Sequence, residues 1–100
     1  MTEKALEKAF VRQVKEHGGL TYKFVSPGNA GVPDRIVIAP DGWVWFVELK
    51  TETGRLSRMQ EYQIDRMLKQ NCDVLVLYGK RDVEKAMAVI FPSAEGGDAE

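Results

Sequence analysis

Cysteine is almost missing from this chain. Cys72 is the single one in 100 residues, so no disulfide can close within the chain and no thiolate zinc site can be assembled. Its flanks, NCDVLVLY, put it at the entrance of a predicted strand, where a small buried residue in a reducing compartment is expected. Histidine is equally scarce: His17 is alone, at the end of a predicted helix where a cation is favoured, which leaves no catalytic scheme built on histidine pairs. An excess of charge of one sign is absent as well. Fourteen basic residues against 15 acidic ones give a net charge of −1, so any binding of a polyanion must come from a local patch. No apolar run approaches the ~20 residues of a membrane span, and no secretory segment opens the chain, so a cytoplasmic location without membrane contact is expected.

What is present reads as one α/β domain over residues 1–92, with an acidic, small-residue tail, SAEGGDAE, at 93–100 that is expected to fray. Residues 2–17 carry Leu6, Phe10 and Val14 on one helical face, with Thr2 as N-cap and Gly18-Gly19 as the stop. LTYKFVS at 20–26 alternates as a strand, and PGNAGVP is a loop. Strands at 34–39 and 43–50 flank the turn Pro40-Asp41-Gly42. Ser57 can cap a helix to about residue 70. DVLVLY at 73–78 is a strand covered on both faces, and a helix follows over about 81–89. The order αβββαβα predicts a mixed sheet with helices packed on it.

The stretch GVPDRIVIAPDGWVWFVELKTETG places Asp34 at the mouth of one apolar strand and Glu48 and Lys50 at the exit of the next. Charges enter a sheet core only when paired or bound to a metal. A three-residue Pro40-Asp41-Gly42 loop sets Asp34 directly opposite Glu48, with Cβ atoms about 5 Å apart. Glu48 and Lys50 then share a face, so the three groups converge. A two-residue Asp41-Gly42 turn instead sets Arg35 opposite Glu48, which makes Glu48 a salt-bridge partner. In the convergent register the two carboxylates repel unless something neutralises them, and a hard divalent cation with a few carboxylate ligands does so. A lysine beside such an ion can orient water or steady charge on a phosphate, which points to hydrolysis of a phosphodiester.

Gln60 falls on the stripe of Ile64, Met67 and Leu68, so its amide needs a partner in the site or on nearby backbone. Arg55 and Arg58, at the helix start marked by Ser57, suit a phosphate, and Lys23 and Arg35 can extend that patch; a merely solvated face is the alternative for each. Strand alternation sends Phe46 to one face and Trp43 and Trp45 to the other. Phe46 is expected in the core, with the tryptophans in core or at an interface.

Pro33-Asp34 followed by Glu48-Leu49-Lys50 resembles the PD-(D/E)XK nuclease pattern. GVPDRIV, VELK and the later G-x-LS-x-x-Q together are similar to the VRR-NUC family, over roughly residues 3–80. The resemblance implies a restriction-endonuclease-like αβββαβ core. It implies Mg²⁺, replaceable by Mn²⁺, held by Asp34, Glu48 and the backbone carbonyl of Leu49, with Lys50 catalytic. Gln60 matches the family glutamine. Glu7 matches its N-terminal glutamate, which reaches the metal directly or through water; from the sequence itself Glu7 is equally a surface residue. The implied activity is a structure-specific DNA endonuclease resolving four-way (Holliday) junctions as a homodimer, in a bacterium or a phage-infected cell. Rival readings are a nicking or flap nuclease working with a helicase, and a non-catalytic DNA-binding module.

Overall fold

A computed structural model describes residues 1–92. Its elements are α1 (Glu3–Glu16), β1 (Leu20–Lys23), β2 (Arg35–Ile38), β3 (Val44–Lys50), α2 (Arg58–Lys69), β4 (Asp73–Tyr78) and α3 (Gly79–Ile90). The four strands form one mixed sheet in the order β1-β2-β3-β4, antiparallel except for the parallel β3–β4 pair, which α2 connects. The sequence-predicted tail at 93–100 lies outside the described residues.

Local chemistry explains the boundaries. Thr2 Oγ1 accepts the Ala5 amide at 3.0 Å and starts α1. Gly18, at φ +83°, ends it in the left-handed conformation that a side chain disfavours. Ser57 and Gln60 form a reciprocal capping box that starts α2. β1 is shorter than the predicted strand at 20–26. After Lys23 only the Phe24 amide still reaches the partner strand, donating to the Asp34 carbonyl, before the chain turns at Ser26–Asn29. α3 begins earlier than predicted because the Asp82 carboxylate takes the Tyr78 amide at 2.8 Å and holds the strand end against the first helical turn.

The core lies between the sheet and the pair α1 and α3. Leu6, Phe10 and Val14 of α1 and Val83, Met87 and Ile90 of α3 meet Val37, Val47, Leu49 and Leu77 of the sheet. On β3 the core-facing residues are therefore the odd-numbered ones. This corrects the expectation for Phe46: Trp45 packs against the main core, while Phe46 is half-buried on the opposite face, tilted against Phe24 with ring centroids 5.5 Å apart. Trp43 is 57% exposed, and its indole N–H donates to the Asp73 carboxylate. The even-numbered side chains of β3, including Glu48 and Lys50, face the side where α2 lies.

Candidate active site

The β2–β3 hairpin fixes the geometry. Gly42 N–H donates to the Ala39 carbonyl at 2.8 Å and Ala39 N–H to the Trp43 carbonyl at 2.9 Å, closing the Pro40-Asp41-Gly42 turn. Arg35 pairs with Val47, Ile36 with Phe46, Val37 with Trp45 and Ile38 with Val44. The next step along this register sets Asp34 opposite Glu48. The competing register, with Arg35 facing Glu48, does not occur.

Asp34 is a bend immediately before β2, and its Oδ2 accepts the Leu49 amide at 2.9 Å. That bond anchors the carboxylate against the strand bearing Glu48. The loop before Asp34 is held close to α2: a Cβ on Gly31 would stand 2.5 Å from the Met59 carbonyl oxygen, and Gly31 has φ +93°. Only glycine meets both conditions without strain.

Glu48 is 1% exposed and is the only buried charged residue among those described. Its Oε2 accepts the Gln60 Nε2 amide at 3.0 Å, and Lys50 Nζ stands 3.8 Å from the same oxygen. Its Oε1 is buried with no hydrogen-bond partner. Burial, and next the charge of Asp34, push the Glu48 carboxyl up to about 7, against the opposing pull of Lys50. A buried carboxylate oxygen without a donor is costly in water-free surroundings, and a cation is the partner that such an atom fits best.

Gln60 satisfies both roles open to it in the sequence. Its Oε1 accepts the Ser57 amide at 2.8 Å as part of the helix cap, and this fixes the amide so that Nε2 points at Glu48. Glu7 takes a different position from a free ligand: its Oε2 accepts from Arg35 at 3.0 Å. The Arg35 side chain is 11% exposed and also donates to Thr21 Oγ1 at 3.3 Å. Arg35 is thus held by Glu7 and Thr21, on the wall of a neighbouring cavity. Lys23 is exposed beside the site. Arg55 and Arg58 are exposed with no ion-pair partner among the described residues, and Ser57 Oγ is occupied by the Gln60 amide.

A cleft of about 260 Å³ opens at the sheet end, lined by Glu3, Lys4, Glu7, Lys23, Asp34 and Leu49. Glu3 and Lys4 were not singled out from the sequence. The spacing of Glu3 four residues before Glu7, on a helix whose apolar face is already assigned, is the signal that places Glu3 beside this site. Among the described residues no three carboxylate, imidazole or thiol groups gather closely enough to hold an ion between them. Asp34 and Glu48 face each other there as a pair of carboxylates.

Residues 1–81 match the model of the VRR-NUC domain. The chain belongs to the VRR-NUC family. A curated relative from Acyrthosiphon pisum secondary endosymbiont phage 1, named "Putative nuclease p44", is 41% identical over 75 residues, covering 75% of this chain and 81% of that protein. A solved structure of a VRR-NUC domain superposes with a TM-score of 0.80 at 31% identity, over 85% of this chain and 92% of the other. A second, described as a VRR-NUC domain protein, has a TM-score of 0.74 at 15% identity over 92% and 89% of the two chains, a likeness of fold. The VRR-NUC match spans every residue of the cluster, from Glu7 to Gln60.

Proposed function

We propose that this VRR-NUC protein is a divalent-metal-dependent DNA endonuclease of the PD-(D/E)XK type that cuts structured DNA, four-way junctions above all. The observation carrying this reading is the buried Glu48 carboxylate, with one oxygen clamped by Gln60 and the other unpartnered, set opposite Asp34 at an open cleft. Asp34, Glu48 and the Leu49 carbonyl would hold Mg²⁺ or Mn²⁺, with Glu7 contributing through water. Bound there, such an ion neutralises charge growing on a phosphodiester and acidifies water.

The chain's own residues supply the rest. Gln60 holds the Glu48 side chain in one orientation, so that the free oxygen keeps its direction. The Leu49 amide does the same for Asp34. Lys50, with its ammonium group 3.8 Å from Glu48 Oε2, would orient the attacking water and steady negative charge on the phosphate. Arg55 and Arg58, beside the start of α2, carry the neighbouring phosphates. Two sites on a two-fold homodimer would serve the two opposed strands of a junction, and the setting is the cytoplasm of a bacterium or phage-infected cell.

The test is cleavage of end-labelled four-way, flap and linear DNA in Mg²⁺ or Mn²⁺, with Lys50→Ala alongside. Cutting of the junction in preference to the other two, lost in the variant, is the expected result. Equal cutting by both proteins removes Lys50 from the chemistry, and preference for the flap replaces the junction as substrate. Sizing in solution checks the dimer.

A further inference from the structure

The cleft holding Asp34 does not end at the site. A second cavity of about 350 Å³, lined by Lys4, Glu7, Lys8, Val11 and Arg35, continues from it along the side of α1, sharing Lys4 and Glu7. Glu7 is the only acid in this outer part, and Arg35 neutralises it at 3.0 Å. Lys4 and Lys8 are left as free positive charges: both are exposed, and neither has an ion-pair partner among the described residues.

Lys4, Lys8 and Arg12 follow one another at four-residue steps, an arrangement of like charges that repel. Arg12 is relieved by Glu16 at 3.8 Å, whereas the two lysines nearest the site have no such relief. At 100° per residue Lys4, Lys8 and Lys15 fall on one stripe, and at 1.5 Å per residue that stripe runs about 16 Å. One DNA strand presents a phosphate about every 3.4 Å of duplex axis, so the stripe matches roughly five nucleotides. Lys23 stands at the site end of the cleft.

We propose that this flank of α1 is a second DNA-backbone surface, on which Lys4, Lys8 and Lys15 carry the phosphates of the substrate strand leading away from the site, complementing Arg55 and Arg58 beside the start of α2. The proposal rests on the DNA-nuclease reading for its partner. It adds where the strand runs.

The experiment is fluorescence anisotropy of a labelled four-way junction titrated with the whole chain in EDTA, where no cutting occurs, at several salt concentrations. Each phosphate contact contributes a slope of about −0.9 in log K against log salt, which at ~0.1 M salt is roughly eightfold in affinity. Lys4→Ala/Lys8→Ala should flatten the slope by about 2 and weaken binding at least tenfold, while Lys4→Arg/Lys8→Arg keeps both near the unaltered values. Lys85→Ala, an exposed lysine of α3, should leave binding as it was. Unchanged affinity and slope in the double alanine variant overturn the proposal, as does equal loss in the arginine variant or no DNA binding by the unaltered protein. Salt-dependent binding lost only in the alanine variant, in a protein that cuts no DNA in Mg²⁺ or Mn²⁺, upholds the surface and sinks the nuclease reading instead.

Discussion

Glu48→Gln should make the metal-free protein more stable at alkaline pH and leave it unchanged in acid. The Glu48 carboxyl titrates at about 7 in the fold against 4.5 as the ordinary value. Below pH 4.5 both folded and unfolded chains hold the proton, and the group imposes no penalty. Between 4.5 and 7 the unfolded chain gives up its proton while the folded chain retains it, so stability falls as pH rises. Above 7 the penalty is complete, at about 3 kcal/mol, from 1.36 kcal/mol per pH unit over that window. Glutamine keeps the size of the side chain and an oxygen for Gln60 to donate to, but carries no charge. The difference between variant and unaltered protein should therefore be near zero at pH 4.5 and approach about 3 kcal/mol by pH 8.5, or more than ~12 °C in melting temperature for a domain this small. Urea unfolding of both proteins in EDTA across this range measures it, and effects from titrating groups that do not interact with Glu48 cancel in the difference. A difference that stays flat with pH, or grows toward acid, would refute the reasoning about Glu48.

Gly31→Ala places a Cβ against the Met59 carbonyl at a positive φ, and a stability loss of at least about 2 kcal/mol is expected by denaturant unfolding. Phe10→Ala empties a fully buried site between α1 and the sheet, and a loss of about 3–5 kcal/mol should leave little cooperative unfolding. Gln60→Ala removes one partner of the α2 cap and the side-chain amide that donates to Glu48; about 1 kcal/mol of stability and at least tenfold of DNA-cutting rate should go together, read from melting and from single-turnover cleavage.

The hairpin was legible because turn chemistry fixes register. A proline that cannot donate to the ladder favours the longer loop, and that loop alone decides whether Asp34 or Arg35 faces Glu48. Helix limits followed Thr2, Gly18 and Ser57 for similar local reasons. Two features were out of reach. Both faces of β3 are apolar, so alternation separated Trp45 from Phe46 without saying which face lies beneath α1 and α3. The bond from Arg35 to Glu7 joins residues 28 positions apart, and no local pattern marks an arginine for pairing with a distant helix. The candidate residues that the fold brings together at the sheet end could be named from type and order, while the division of Gln60 between cap and carboxylate needed the three-dimensional placement of α2.

Calorimetric titration of Mg²⁺ into the metal-free protein at pH 7, beside Asp34→Asn, tests most directly whether the carboxylates at 34 and 48 grip one ion. Asparagine can still accept the Leu49 amide, so the variant should fold. The unaltered protein should bind with release of roughly half a proton per ion, as expected for a ligand titrating at about 7, and the variant should lose at least tenfold in affinity. Equal binding by the two proteins, or no binding by either, would contradict it.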